Sequence, residues 1–173
     1  MDINAIETVF WRALRLALPD FPESDIRIAY ALASTPSISA EDDVIYLSVT
    51  DVTDMFVIQY DETYDYDVTT ETVMLNKART AVLQVKFTCY GPEASKNINA
   101  VKDGVILQEV QRFLSKENLH IIPRYEACQR VPEQVNGGWW NRWDWTSSWN
   151  YLYVLPAEDV GIITTTNINI EGA

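Results

Sequence analysis

The sequence predicts an α+β fold: a single domain over residues 1–173, in which a largely antiparallel sheet with long C-terminal hairpins packs against two helices. Apolar residues recur at helical spacing in two stretches, one near the N-terminus and one in the middle of the chain. Most other apolar residues alternate with polar ones, as in strands with one buried side. No repeat or low-complexity tract divides the 173 residues, a length that suits one hydrophobic core.

The first half of the chain is predicted to form one helix followed by short strands. Apolar residues at helical spacing predict the helix over residues 3–18, and Pro19 ends it. A connector over 19–42 contains a candidate strand at 26–32. Three short strands separated by Asp-rich turns are then predicted at 44–50, 55–60 and 66–75.

The middle of the chain alternates almost cleanly between apolar and polar residues over 81–90, which predicts a strand. Gly91-Pro92-Glu93 then turns the chain into a second helix, with proline at its first position and a carboxylate in its first turn. This helix is predicted to run to about Leu114, and Gly104 is a weak point within it.

The C-terminal third is predicted to be an antiparallel meander of long strands. The predicted order is a strand over 119–129, a turn region over 131–138 with the hairpin-type dipeptide Asn136-Gly137, and a tryptophan-rich strand over 139–153. Residues 156–159 are predicted to turn the chain again, and a closing strand is predicted over 160–170.

The tryptophan-rich strand contains five of the six tryptophans of the chain. In an extended conformation its odd positions form an aromatic side, and its even positions from Arg142 onward form a polar side. The aromatic side either packs into the core or forms an exposed surface. If Trp143, Trp145 and Trp149 were exposed and coplanar, they would form a sugar-stacking platform. The alternative function is therefore a tryptophan-rich carbohydrate- or partner-binding module.

The formal charge is −12, from 13 basic and 25 acidic side chains. This balance argues against tight binding to the phosphate backbone of nucleic acids. Ten carboxylates lie between Glu41 and Glu71, and no Lys or Arg occurs between Arg27 and Lys77. Such a segment is typical of a solvated acidic surface.

No constellation for catalysis, cofactor binding or metal binding stands out. The chain has one histidine, His120, and its two cysteines, Cys89 and Cys128, lack metal-ligand spacing and are predicted to be free thiols. The carboxylates of residues 61–67 lack the glycine and terminal glutamate of a calcium loop. The N-terminus is acidic and lacks the basic region of a secretory signal, and no apolar run is long enough to span a membrane. We therefore expect neither a secretory signal nor a membrane span. We expect a protein that is not an enzyme.

Several motifs resemble the neck-terminator or tail-terminator proteins of tailed bacteriophages. A strand leads into Cys89-Tyr90-Gly91-Pro92-Glu93-Ala94, which matches a "YGP.A" turn before the second helix of that family. Ile121-Ile122-Pro123 follows the helix, and Arg142 and Asp144 match the "R.D" strand before the C-terminal hairpin. The resemblance covers roughly residues 79–171 and implies a tail-terminator-like fold.

The resemblance implies a structural role in the virion, at the junction of tail and neck, after assembly in the host cytoplasm. Proteins of this family form a ring, typically a hexamer, that caps the tail tube and docks it to the neck or head-completion (connector) proteins. The implied partners are therefore other copies of the chain, the tail tube protein and the connector protein. The family has no catalytic residues to carry over.

Within such a ring, two groups of residues are candidate site residues. Trp139, Trp140 and Arg142 lie at the start of the tryptophan-rich strand and are expected at a subunit or partner contact, where Trp and Arg are enriched. An acidic lumen lets DNA pass without specific binding, because it repels phosphate. The residues expected to line that lumen are Asp61, Glu62, Asp65 and Asp67.

Overall fold

The computed structural model of the protein describes residues 2–29, 38–52, 60–70, 72–123, 126–135 and 137–160. Within these ranges, helices pack on one side of a mostly antiparallel sheet, which confirms the predicted α+β class. The α-helices are α1 (Ile3–Ala17), α2 (Ala94–Val105) and α3 (Gln108–Lys116). The strands are β1 (Ile26–Ile28), β2 (Val44–Val52), β3 (Asp61–Asp67), β4 (Thr72–Tyr90), β5 (Leu119–Ile121), β6 (Gln129–Arg130), β7 (Glu133–Val135), β8 (Gly138–Trp140), β9 (Arg142–Val154) and β10 (Glu158–Asp159).

The 19-residue strand β4 is the centre of the main sheet, whose strand order is β1-β2-β4-β9-β5. The second half of β4 lies between β2 and β9, and its first half pairs with β3 and β10. Strand β6 pairs with β9, while β7 and β8 form a separate hairpin. The pair β1–β2 is parallel, and the other described pairs are antiparallel. Because β4 extends beyond β2 at one end, β3 and β4 continue the sheet outward.

The core lies between the helices and one side of the sheet. We call this the helix side and the opposite side of the sheet the open side. Alternation places the odd residues of β4 and β9 on the helix side. Phe10 of α1 meets Trp149 edge to face with ring centroids 5.0 Å apart, and Phe87 stacks on Trp145 at 5.4 Å. These aromatic pairs join the first helix to the two central strands.

The predicted second helix is in fact two helices, because it breaks at Ile106 and Leu107. In α2, Ile98, Val101 and Val105 face the core. An unbroken helix would next turn Gln108 and Glu109 inward, at the cost of burying polar groups. The break shifts the apolar stripe so that Val110 and Leu114 of α3 reach the core instead. Gly104 precedes the break and packs against α1, where a Cβ would lie 2.8 Å from the Cβ of Ala17.

The prediction of a single strand over 66–75 is wrong, because a turn over 68–70 separates the end of β3 from the start of β4. The Asp67 side chain accepts a hydrogen bond from the Thr69 backbone N–H at 2.8 Å, and the hydroxyl groups of Thr70 and Thr72 are 2.7 Å apart. An aspartate that bonds to the backbone two residues later favours a turn over an extended strand.

The strand predicted over 119–129 is also shorter than expected. It is reduced to β5 and β6, and the residues described between them belong to neither strand. Pro123 has no backbone N–H to donate to a neighbouring strand, which favours the early end of β5. The tryptophan-rich strand is confirmed, but Asn141 separates β8 from β9.

The chain does not reverse at residues 156–159, so the turn predicted there is wrong. Strand β10 continues along the same edge of β4 that β9 occupies, with Glu158 opposite Leu75. The Leu155 N–H donates to the Lys77 carbonyl at 2.9 Å and keeps the chain on that edge. The closing strand predicted over 160–170 lies beyond the described residues except for Val160, and the strand over 55–60 lies beyond them except for Tyr60.

Candidate functional site

A groove of about 460 Å³ lies on the open side of the sheet, at the end of β4 that leads to α2. Even-numbered residues of β4 and β9 face this side, because odd-numbered residues fill the core. The hairpin β7–β8 forms another wall of the groove. We call this feature the open-side groove, and its aromatic and charged lining residues are Tyr46, Lys86, Tyr90, Glu133, Trp140 and Arg142.

Three aromatic side chains lie in a row along the open-side groove. Tyr46 meets Tyr90 with ring centroids 5.9 Å apart at 88°, and Tyr90 meets Trp140 at 5.9 Å and 85°. Both contacts are edge to face, a geometry that the quadrupoles of aromatic rings favour. These two edge-to-face contacts hold Trp140 against the sheet, so that Trp140 forms part of the groove wall.

Arg142 is the centre of an ion network beside these rings. Its Nε and Nη2 donate to the two carboxylate oxygens of Asp144, both at 2.9 Å, and its Nη1 donates to Glu133 Oε2 at 2.9 Å. The Nζ of Lys86 lies 2.8 Å from Asp144 Oδ2. The guanidinium also lies over the Tyr90 ring, 5.8 Å from its centroid. A planar guanidinium can satisfy two carboxylates and a ring at once, as a lysine cannot.

The network moves the pKa values of Arg142, Asp144, Glu133 and Tyr90 away from neutral pH. The hydrogen bond to Asp144 raises the pKa of Arg142. Burial favours the neutral form of Asp144, but hydrogen bonds from Arg142 and Lys86 outweigh it and lower the pKa of this carboxyl. Hydrogen bonds from Tyr90 and Arg142 lower the pKa of Glu133. Burial and the hydrogen bond to Glu133 raise the pKa of Tyr90. The groove therefore carries a fixed charge pattern near pH 7, which suits recognition rather than proton transfer.

The three residues expected at a contact have different surroundings. Trp139 is 71% exposed, whereas its neighbour Trp140 points to the other side of the β7–β8 hairpin and is partly buried. Arg142 is also partly buried, and three of its N–H donors bond to carboxylates of the same chain. The structure therefore brings Trp140 and Arg142 together at Tyr90 and leaves Trp139 facing solvent.

The other tryptophans of this run lie on the helix side. Trp145 and Trp149 are buried, and Trp143 is partly buried against the same core. The Nε1 of Trp149 donates to Ser147 Oγ at 2.8 Å, which satisfies its polar group inside the core. An exposed, coplanar platform of Trp143, Trp145 and Trp149 is therefore absent.

The four residues expected to line a lumen lie on β3, and all four are exposed. Asp61, Asp65 and Asp67 face the open side, whereas Glu62 faces the opposite side and pairs with Lys77 at 3.5 Å. The acidic residues are far from the open-side groove, because Asp65 lies opposite Met74 and Arg142 lies opposite Tyr90. Sixteen residues of strand separate these positions by about 50 Å.

Other chemically active side chains do not form a second site in the described part of the chain. His120 is exposed, and its Nδ1 lies 3.5 Å from Ser115 Oγ. Cys89 and Cys128 are free thiols, and burial raises the pKa of both. Among the described residues, no three His, Cys, Asp or Glu side chains are placed to share a metal ion, and no helix is long and apolar enough to cross a membrane.

Sequence reasoning missed four of the groove residues, namely Tyr46, Lys86, Tyr90 and Glu133. The even positions of β4 predict that Lys86 and Tyr90 share a side with Arg142, once β4 and β9 are known to pair. Glu133 carries no such signal, because it lies in a region predicted to be a turn.

Comparison with known proteins completes the description of the chain. The sequence model of a family described as "Phage neck terminator protein" matches residues 4–173, which is nearly the whole chain. Among curated proteins, no match to the chain is found.

Proposed function

The chain belongs to the phage neck terminator family, a structural component of the virion neck, and from this premise we propose that it forms a ring that caps the tail tube. The ring contains six copies and joins the tube to the neck or head-completion (connector) protein. It assembles in the host cytoplasm before it becomes part of the virion. Its partners are the neighbouring copies, the tail tube protein and the connector protein, and DNA passes through it without specific binding.

The observation that carries this proposal is the exposed indole of Trp139, which lies beside the open-side groove with its fixed charges. The Trp139 side chain is 71% exposed, so it contributes little to the stability of the fold. A partner that covers it would remove a large apolar area from water, which favours binding. Trp and Arg are enriched at the centres of protein interfaces. In this surface, Trp139 supplies the contact, whereas Trp140 and Arg142 hold the surface in shape.

The acidic strand supports the passage of DNA. Asp61, Asp65 and Asp67 share the open side of β3, and among the described residues that side of β3 carries no basic side chain. Negative charge around a lumen repels phosphate, so that the genome slides through the ring. Glu62 contributes less to the lumen, because it faces the other side and pairs with Lys77.

The alternative, a carbohydrate-binding module, loses its main support in the burial of Trp145 and Trp149. A partner-binding role for Trp139 remains part of the ring proposal. The shifted pKa values of the open-side groove also favour a surface for assembly over acid–base chemistry at neutral pH.

Replacement of Trp139 tests the proposed contact. We expect Trp139→Ser to change the free energy of unfolding by less than about 0.5 kcal/mol, because an exposed side chain contributes little to the fold. The same variant should bind less to purified tail tube ends and form fewer rings, as counted by negative-stain electron microscopy.

The matched control is Leu16→Ser, which removes another exposed apolar side chain, on α1. Rings and capped tubes should form normally in this control. If Trp139→Ser also assembles like the unsubstituted protein, Trp139 is not part of a subunit or partner contact.

A further inference from the structure

The first half of β4 and the whole of β3 form a projecting hairpin, described over residues 61–70 and 72–79, which we call the arm. Every residue of β3 is exposed, and the arm turns at the exposed Val68. Strand β3 packs chiefly on β4, and none of the helices has substantial contact with it. Strand β3 therefore gains little from burial within the described part of its own chain, whereas Leu75 of β4 is buried.

The two sides of the arm differ in chemistry. Register and alternation place Asp61, Asp65 and Asp67 on the open side. Tyr64 and Tyr66 lie on the other side, opposite Leu75 and Val73 of β4, and are 62% and 57% exposed. We call these the acidic side and the tyrosine side of the arm.

The tyrosine side carries charges of both signs near its rings. Its charged residues among those described are Glu62, Lys77, Arg79 and Glu158, and Glu158 lies opposite Leu75 on the edge of β4 away from Tyr64. Glu62 forms an ion pair with Lys77 at 3.5 Å, two residues along the strand from Tyr64. At the base of the arm, the Arg79 guanidinium lies between the rings of Tyr60 and Tyr153, at 5.8 and 5.7 Å from their centroids. The tyrosine side therefore presents aromatic surface with nearly balanced charge, on a chain whose net charge is −12.

A second exposed apolar surface lies at the base of the arm, on the open side. It consists of Val52, Leu152 and Val154, of which Val154 is 55% exposed, and we call it the valine patch. The residues directly beside the patch in the strand register are uncharged, namely Ala78, Thr80, Val82 and Asn150. The next residue in the row of Val154 is the carboxylate Asp61, opposite Ala78. The sheet separates the valine patch from the tyrosine side of the arm, so the two surfaces of one chain cannot meet.

We propose that the tyrosine side of the arm packs onto the valine patch of a second copy of this chain. This inference rests on the proposed ring and assigns a contact within it. Two copies that each carry a charge of −12 repel, and these two surfaces let them meet where charge is nearly balanced on one copy and confined to the edge on the other. Because the two surfaces differ and lie on opposite sides of the sheet, the contact is heterologous, as a closed ring requires.

This contact leaves the outer part of the acidic side free. One copy would present its tyrosine side to its neighbour, while Asp65 and Asp67 remain in solvent, where the proposed lumen needs them. Asp61 lies in the row of Val154, at the edge of the valine patch that receives the arm of the other neighbour. The arm then has two functions, one on each side of the same hairpin.

Cross-linking between engineered cysteines tests the contact. The chain would carry Tyr66→Cys and Val154→Cys, with Cys128→Ser to remove the partly exposed native thiol. Within one chain, Tyr66 lies opposite Val73 and Val154 lies opposite Ala78, so about 17 Å of strand separates them and a short bis-maleimide cannot join them. We expect a ladder of covalent oligomers that ends at the ring, and a single cross-linked peptide pair between copies.

The matched control replaces Tyr66→Cys by Asp65→Cys, which moves the thiol to the acidic side of the same strand. This control should give monomers after cross-linking. Equal ladders from both proteins, or no ladder from either protein under conditions where the unsubstituted protein forms rings, would overturn the proposed contact and leave the ring itself standing.

Mixing two defective variants tests the direction of the contact. Tyr64→Ser with Tyr66→Ser removes the tyrosine side, and Leu152→Ser with Val154→Ser removes the valine patch. Neither protein should form rings alone, and the mixture should give 1:1 heterodimers by native mass spectrometry, because one productive contact remains. Homodimers of each variant, or rings from either variant alone, would contradict a heterologous contact. An unsubstituted protein that stays monomeric even with tail tube ends would instead remove the proposed ring, and this contact with it.

Discussion

Arg142 connects the core strand β9 to the surface of the open-side groove. Its three hydrogen bonds to carboxylates engage all three guanidinium nitrogens within the chain, and the group also lies over Tyr90. The side chain is therefore less available to a partner than its place at the start of the tryptophan-rich strand predicts. We propose that Arg142 affects assembly indirectly, because it holds Glu133 and with it the β7–β8 hairpin that carries Trp139.

Replacing Arg142 should therefore affect stability as well as assembly. We expect Arg142→Met to lower the free energy of unfolding by about 2 kcal/mol at pH 7, because Asp144 is mostly buried and keeps only Lys86 as a charged partner. The free energy of unfolding of Arg142→Lys should lie between those of the unsubstituted protein and Arg142→Met, since an ammonium cannot donate to both carboxylates in the same geometry. Urea denaturation at constant pH measures these differences, and equal stability of all three proteins would show that the network contributes nothing to the fold.

The pH dependence of stability gives a second test of this network. The pKa values of Asp144 and Glu133 are lowered in the folded chain, so their contribution is present above their unfolded pKa values of about 4. It is lost as pH falls through the lower folded values. The stability gap between the unsubstituted protein and Arg142→Met should therefore narrow as pH falls from 5 to about 2. A gap that stays constant over this range would show that the gap does not come from ionised carboxylates.

At this scale, the sequence predicts part of the site. Alternation along the tryptophan-rich strand puts Trp145 and Trp149 on one side and Arg142 and Asp144 on the other. It leaves open whether the aromatic side is core or surface, and the structure buries Trp145 and Trp149. It does not predict the carboxylate of Glu133, because that contact depends on how a short hairpin folds back over the sheet. Trp140 was expected to be as available as Trp139, but its contact with Tyr90 comes from the neighbouring strand and is invisible in local sequence.

At the scale of elements, the turn at Gly91 connects the central strand to the second helix. Gly91 has φ of 108°, and a Cβ there would lie 2.5 Å from Asp43 Oδ1 and 2.6 Å from the Asp42 carbonyl oxygen. The Asn141 side chain also donates to the Gly91 carbonyl at 2.9 Å. The turn therefore fixes three parts of the chain close together, and the glycine is needed both for its conformation and for its size.

Two glycines with positive φ allow these two reasons to be separated. Gly137 has φ of 81°, but no atom would lie within 4 Å of an added Cβ. We expect Gly91→Ala to destabilise the chain by about 3 kcal/mol, from backbone strain and collision together, and Gly137→Ala by about 1 kcal/mol, from strain alone. Thermal and urea unfolding give both values. Similar losses in the two variants would mean that the backbone near Asp43 adapts to the extra carbon.

The elements themselves were predicted unevenly. The first helix, the strand at 81–90 and the tryptophan-rich strand follow from clear periodicity. The break between α2 and α3 was missed, although the polar residues Gln108 and Glu109 at the next core positions indicate it. The first half of β4 and the path of β10 depend on pairing between distant segments, which periodicity does not report.

At the scale of the whole molecule, charge and surface chemistry are separated along β4. One end carries the open-side groove with its balanced ions, and the other end carries the arm with its acidic and tyrosine sides. A net charge of −12 on each copy opposes association, so the proposed ring needs attractive contacts, for which we propose Trp139 and the tyrosine side of the arm. Salt screens the repulsion and leaves the apolar contacts intact.

Sedimentation across salt concentrations, with and without tail tube ends, tests the proposed ring most directly. We predict a monomer or a mixed population at low ionic strength, because repulsion between acidic copies is then largest. The population should shift to a species of six copies as salt or protein concentration rises, or when tube ends are added. A protein that remains monomeric at high salt, at high concentration and in the presence of tube ends would contradict the ring.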